Sequence, residues 1–292
     1  MKKLFALLIS AAMIVSVAAG CDKKAEDTTS TNDSTASVEV TSQETAATSD
    51  EPTLGKKTFT VGFDAEFPPY GYQDDNGEYV GFDLSLAEEV CKRNGWELVK
   101  KPIDWDSKDL ELDSEIIDCI WNGFTINGRE DAYTWTTAYV DNSQVFVVAA
   151  DSGITTKEGL AGKTVAVQAD SSALAALTDE EDNDENLALA ATFADLMEVP
   201  DYNTAFMNLE SGAVDAIAMD VGVAKYQLES RGDSYVILDE VLAAEEYGVG
   251  FKLGNTELRD AVQNTLNEMA EDGTFMKIAT DWGLEESVVL GK

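Results

Sequence analysis

Histidine is absent from the whole chain of 292 residues. That removes the commonest general base at neutral pH, the commonest zinc ligand and every histidine-dependent catalytic triad. Positive charge is scarce as well: 20 Lys and Arg stand against 56 Asp and Glu, a formal net charge of −36. Nucleic acid binding needs clustered Lys and Arg, so nucleic acid is not an expected partner. The acidic excess favours solubility and draws cationic small solutes without choosing a fold. Cysteine occurs only three times. Cys91 and Cys119 lack a metal-ligand spacing such as CxxC and read as small buried hydrophobes, not as a disulfide. No metal and no cofactor is implied. Past residue 20 no apolar run is long enough to cross a bilayer.

What is present begins with "MKKLFALLISAAMIVSVAAG", a basic start, an apolar stretch and small residues. Residues 1–20 therefore read as a secretory signal. Ala18-Ala19-Gly20-Cys21 resembles a bacterial lipobox, in which the cysteine is lipidated and becomes the new N-terminus. Losing Lys2 and Lys3 with the signal takes the formal charge from −36 to −38. Residues 22–55 are dominated by Thr, Ser, Ala, Asp and Glu, with too little apolar content to offset ordering entropy. Residues 21–56 are thus expected to be a lipidated Cys21 and a flexible tether that keeps a soluble body near the membrane.

From about Lys57 strand patterns alternate with helix patterns. "KTFTVGF", "WELVKKPI", "IIDCIWNG", "SQVFVVAA", "KTVAVQA", "DAIAMD" and "YVILD" read as strands. "DLSLAEEVCKRNG" reads as a helix capped by Asp83 and ended by Asn94-Gly95, with Leu86, Ala87, Val90 and Cys91 on its buried face. "NTAFMNLESG" and the stretch from Thr256 to Gly283 read as amphipathic helices, the second broken at Gly273. This alternation predicts an α/β architecture with largely parallel sheets. The acidic run at 179–186 reads as an exposed loop, since it lacks the spacing and glycine of a calcium loop.

Four segments put polar residues just past strand ends, where α/β sheets present ligand groups. "VGFDAEFPPYGY" places Asp64 and Phe67 there, and "WNGFTINGRE" places Asn122, Gly123, Thr125 and Arg129. "VAVQADSSAL" runs into a helix, leaving Ser171 and Ser172 near its start, where free N–H groups suit an anion. "DAIAMDVGVA" ends a strand with Asp220. Singly, each has a plain structural reading. Arg129 fits a solvated turn arginine, Asp220 and the two serines fit helix caps, Phe67 and Trp105 fit core aromatics, and Asp64 fits a brace for its own turn.

In this order, and together with "EEYGVGF" at 245–251 and the closing "EDGTFMKIATDWG", the segments resemble the bacterial substrate-binding proteins of polar amino-acid ABC transporters (extracellular solute-binding proteins, family 3). The resemblance covers about residues 57–285. It implies an α/β, two-lobed periplasmic-binding-protein-like fold of type II, with two parallel-rich sheets joined by a hinge. Lobe 1 would be residues 57–142 and 248–292, lobe 2 residues 143–247, with crossovers near "DNSQV" and "EEYGV". It implies no catalysis but binding of a free L-amino acid, polar or cationic, by flytrap-like closure, and delivery to ABC permease subunits. The protein would be a monomer, lipid-anchored on the outer face of the cytoplasmic membrane.

Carried over by residue, the resemblance makes Arg129 the clamp for the ligand α-carboxylate, flanked by Thr125 and the Gly123 backbone. Ser172 and Ser171 would meet the same carboxylate, Asp220 the α-ammonium, and Phe67 and Trp105 the two faces of the side chain, with Asp64 at its far end. Glu66, Gln168 and Asn122 read equally well as site or structural residues. Two departures stand out. "TINGR" is one residue shorter than the common "TITxER" form, and Asp170 replaces the usual glycine, an unfavourable charge unless it points away or caps the helix. The same fold also serves cyclohexadienyl dehydratases, for which Glu66 or Asp64 would act as general acid or base, and sensing modules that report to a separate receptor.

Overall fold

The structure, a computed structural model, describes residues 52–179 and 184–292. The expected signal peptide, the lipidated Cys21 and the tether as far as residue 51 lie outside the described residues, as do 180–183 of the acidic run. Thr53–Gly55, within the expected tether, form a short 3-10 turn, and Trp96 Nε1 donates to the Thr53 carbonyl at 2.9 Å.

The chain begins with β1 (Thr58–Phe63). Three short strands follow, β2 (Glu66–Phe67), β3 (Gly71–Gln73) and β4 (Tyr79–Val80), and pair as a small separate sheet. Next come α1 (Phe82–Asn94), β5 (Glu97–Pro102), α2 (Lys108–Asp113), β6 (Cys119–Thr125), β7 (Thr134–Trp135) and β8 (Val140–Ala149). A second run gives β9 (Thr164–Gln168), α3 (Ser172–Thr178), α4 (Asp184–Ala190), β10 (Asp195–Val199), α5 (Tyr202–Ser211), β11 (Ala216–Asp220), α6 (Val221–Arg231) and β12 (Tyr235–Ile237). The chain closes with β13 (Ala243–Phe251), α7 (Thr256–Glu271) and α8 (Thr274–Asp281).

The main sheet has two parallel cores with a different seam between them. β1 runs parallel to β5 and β6, and β9 runs parallel to β10 and β11. The long strands β8 and β13 join the cores and pair antiparallel with each other over 140–144 and 243–247. Hydrogen bonding is thereby continuous across ten strands, in the order β10-β9-β11-β8-β13-β6-β1-β5, with β12 and β7 at its sides. Two parallel-rich sheets joined by a hinge were expected, and the two parallel cores correspond to them. Their union follows from β8 and β13 being nine or ten residues long, enough to serve both cores.

Helix patterning explains most of the cover. α1 buries Leu86, Ala87, Val90 and Cys91, as its spacing predicts, and ends at Gly95 with φ +69°. Cys91 and Cys119 are buried and unpaired. α7 buries Leu258, Val262, Leu266 and Met269, about 1.5–3 kcal/mol for each side chain removed from water. Gly273, at φ +83°, separates it from α8.

Two expectations are corrected. Asp83 does not cap α1. The helix begins at Phe82 with Gly81 as its cap, so Asp83 falls within the first turn and faces inward. Its Oδ2 accepts the Gly123 N–H at 2.6 Å and the Tyr139 hydroxyl at 2.9 Å. Burial outweighs these bonds and pushes its carboxyl up to about 7. Residues 184–186 are not loop but the first turn of α4, because Leu189 and Ala190 in its second half pack on the core.

Candidate functional site

Four strand ends meet in the centre of the molecule. Phe67, Trp105, Gly123, Thr125, Arg129, Ser171, Ser172 and Asp220 line one narrow cavity of about 20 Å³, together with Gln168. All but one of the expected ligand residues are therefore neighbours. The exception is Asp64. It lines a wider cavity of about 660 Å³ with Glu66, Asp104, Asp201 and the other side of Trp105. Towards Arg129 a third cavity, about 530 Å³, is lined by Thr125, Asp170, Ser171, Ser172 and Glu245.

β6 sets one wall. Gly123 has φ +57°, and a Cβ there would lie 2.9 Å from the Phe67 ring and 3.0 Å from Tyr247. Both the backbone conformation and the close approach require glycine. Phe67 leans on Tyr202 at 5.9 Å between ring centroids, and Trp105 stands edge-on to Phe124 at 5.5 Å. Phe67 is thus buried in the core and Trp105 half-buried at the cleft.

The shortened segment after β6 closes as a tight turn. Arg129 N–H donates to the Ile126 carbonyl at 2.9 Å, Gly128 takes φ +77°, and Trp135 Nε1 donates to the Arg129 carbonyl at 3.0 Å. The missing residue is absorbed there, and the guanidinium folds back over the Phe124 ring at 5.3 Å. Nη2 donates to the Asp170 carbonyl at 3.1 Å and Nη1 to the Thr125 carbonyl at 3.5 Å. Among the described residues no carboxylate lies within ion-pair distance of it. A half-buried planar cation held only by neutral carbonyls suits a bidentate carboxylate.

Opposite, Ser171 caps α3, its hydroxyl accepting the Leu174 N–H at 3.1 Å. Ser172 Oγ lies 3.1 Å from Thr125 Oγ1, joining the ends of β6 and β9. Asp170 takes φ +55°, which accounts for glycine being usual there. Its carboxylate turns away from Arg129 and pairs with Lys108. Lys108 is 1 % exposed, and its ammonium sits 5.2 Å over the Trp105 ring.

Asp220 accepts four hydrogen bonds. Its Oδ1 accepts from Asn142 Nδ2 at 3.0 Å, Gln144 Nε2 at 2.8 Å and Tyr247 OH at 2.5 Å, and its Oδ2 from Tyr202 OH at 2.9 Å. Beside it Glu245 Oε2 accepts from Thr125 Oγ1 at 3.0 Å and Ser172 Oγ at 2.8 Å. Burial and the charge of Asp220 hold the Glu245 carboxyl well above the usual range. Asp64 is engaged locally: Oδ1 accepts the Glu66 N–H at 2.8 Å and Oδ2 accepts Gln168 Nε2 at 2.7 Å. Burial raises its carboxyl to about 6.

Sequence reasoning missed Glu245, Asn142, Gln144 and Lys108. The only signal for the first three was a polar side chain at an inward position of an otherwise apolar strand pattern, in "DNSQVFVV" and "AAEEYGVGF".

With this geometry in hand, the comparisons with known proteins are specific. The model for bacterial extracellular solute-binding proteins, family 3, matches residues 59–285, and the chain belongs to that family. The L-cystine-binding protein TcyJ of Escherichia coli (strain K12) is 30% identical over 228 residues, covering 77% of this chain and 82% of that protein. The L-cystine-binding protein TcyA of Bacillus subtilis (strain 168) is 28% identical over 279 residues, 94% of each chain. Among solved structures, an ABC uptake transporter substrate-binding protein from Streptococcus pneumoniae with bound histidine superposes with a TM-score of 0.74. It is 32% identical and is matched over 80% of this chain and 94% of its own. These likenesses make the fold that of a type II periplasmic binding protein.

Proposed function

We propose that this protein binds a free L-amino acid, polar or cationic, outside the cytoplasm and delivers it to the permease subunits of an ABC importer. One observation carries the reading: a cation without a carboxylate partner, Arg129, and a buried acid, Asp220, line the same narrow cavity with two serines, a threonine and two aromatic rings. An amino acid's carboxylate and ammonium match those two poles, and the rings cover its side chain. The named relatives bind cystine and histidine, which supports binding over turnover for this chain. Residues 57–142 with 248–292 would form one lobe and 143–247 the other, hinged where β8 crosses β13. Residues 1–20 would be the signal and Cys21 the lipidated N-terminus, tethered to the body by 22–56 on the outer face of the membrane.

A thermal-shift panel of common amino acids and cystine, on protein freed of carried-over ligand, tests the reading. A micromolar ligand at millimolar concentration stabilises the native state by about 4 kcal/mol, a rise of several degrees in Tm. No shift with any of them would return Arg129 to a turn arginine. The anchor is tested separately: Cys21→Ser should release the protein or leave it unprocessed, and unchanged membrane fractionation would contradict the lipid.

A further inference from the structure

The crossing of β8 and β13 buries two carboxylates side by side. Asp220 is 4 % and Glu245 5 % exposed, and no ion pair reaches either among the described residues. The same two amides serve both acids. Asn142 Nδ2 donates to Asp220 Oδ1 at 3.0 Å and Glu245 Oε1 at 2.5 Å, and Gln144 Nε2 lies 2.8 Å from each of those oxygens. Gln144 Nε2 also lies 3.0 Å from Ser172 Oγ. An amide nitrogen has two protons, so three acceptors over-subscribe it. Two ionised carboxylates facing each other here, served by two shared neutral amides and away from water, would repel strongly. A proton between Asp220 Oδ1 and Glu245 Oε1 removes the repulsion and supplies a donor.

We infer that Glu245 and Asp220 share one proton in the ligand-free protein, and that the ammonium of an arriving ligand displaces it. Glu245 is then a second acid of the ammonium site. The inference rests on the amino-acid reading above. On binding, the O–H bond of the shared proton breaks and the proton passes to water. The ammonium brings its own N–H donors, and the acid pair together with its cation carries the same net charge before and after. The other titratable groups facing the pair are phenols: Tyr202 from α5, Tyr247 from β13 and Tyr70 from the turn after β2. Burial and the neighbouring acids keep all three protonated. Arg129, from the turn after β6, lines a cavity with Glu245 and on the amino-acid reading meets the ligand carboxylate.

The test has two arms on the whole protein. In the first, ligand-free protein with ¹³C-carboxyl glutamate is titrated by NMR. A glutamate resonance titrating above neutrality, and missing from Glu245→Gln, is expected; its absence from wild type overturns the inference without any variant. In the second, L-cystine, L-arginine and L-histidine are titrated calorimetrically in two buffers of different ionisation enthalpy between pH 5.5 and 8. Wild type should release about one proton per ligand, and affinity should rise up to about tenfold per pH unit. Whatever binding Glu245→Gln retains should proceed without proton release. Binding by wild type with no proton release sinks the displacement step and leaves the amino-acid reading intact. Failure of wild type to bind cystine or any of the common amino acids, with the high-titrating resonance present, sinks the amino-acid reading and the displacement step while the shared proton stands.

Discussion

The two poles of the cleft are built in opposite ways. Arg129 is half-exposed, sits on a turn and touches two neutral carbonyls. Asp220 is buried at a strand end and receives four hydrogen bonds, with Glu245 beside it. A side chain with few partners can be removed with little damage to the fold, whereas a heavily bonded buried acid belongs to both fold and site. On the proposed reading the cation pole would serve ligand alone, and the acid pole would serve ligand and architecture together.

The largest effects should expose that asymmetry. Arg129→Ala and Asp220→Asn should each cost about 2–5 kcal/mol of binding, roughly 30-fold to several thousand-fold in Kd. Only Asp220→Asn should also lower the Tm, because its new NH₂ group faces donors. Equal Tm values for the two variants, measured beside calorimetry, would erase the distinction.

The pH dependence of stability comes next. Asp83 and Asp64 have folded carboxyls raised from 3.8 to about 7 and about 6. Between the unfolded and folded values the native state holds protons that the unfolded chain has lost, so stability falls as pH rises. Unfolding free energy should be highest near pH 4 and fall by several kcal/mol, about 7 at most from these two groups, by pH 8. Asp83→Asn should flatten the part of the slope that extends to neutrality, and urea melts across that range read it directly.

Gly123→Ala tests how rigid the wall beneath the cation pole is. A positive φ and contacts of 2.9 and 3.0 Å to the Phe67 and Tyr247 rings should cost about 1–3 kcal/mol of stability. An unchanged Tm would mean that the rings yield. The smallest effect is expected at Lys108, whose ammonium reaches Asp170 across the cleft. Asp170 is half-exposed, so the pair is partly screened, and Lys108→Met should weaken ligand binding only several-fold, about 1 kcal/mol. A double-mutant cycle with Asp170→Gly isolates the pair from the backbone strain at that position.

Much of this was legible in the chain. Long alternating or helical patterns such as "KTFTVGF" and "DLSLAEEVCKRNG" declared their elements, because burial imposes a period that residue type records. Arg129, Thr125, Ser172 and Asp220 each fall at or just past a strand end, and it was the family resemblance that put them in one site. Elements held by packing were not legible. α6 opens with Val-Gly-Val, poor helix formers, and is kept helical by burial of Val223, Ala224 and Gln227. β10, "DLMEV", is half-exposed and drew no strand expectation. The inward turn of Asp83 depended on a helix cap displaced by two residues, to Gly81, and Glu245 on a seam between strands about a hundred residues apart. Such pairings leave no local period to read.

The seam also dictates when the molecule can become itself. β6 is one of the first strands made, yet its neighbour β13 begins at Ala243, and the helices that cover α1, α7 and α8, come later still. Val140 also forms a strand bridge to Val288, beyond α8. Until those residues exist, the first core stands with an open edge and an uncovered apolar face. The second core, β9 to β12, has all its own strands by Ile237. Synthesis thus runs ahead of assembly: the core begun first is completed only once β13, α7 and α8 have been made.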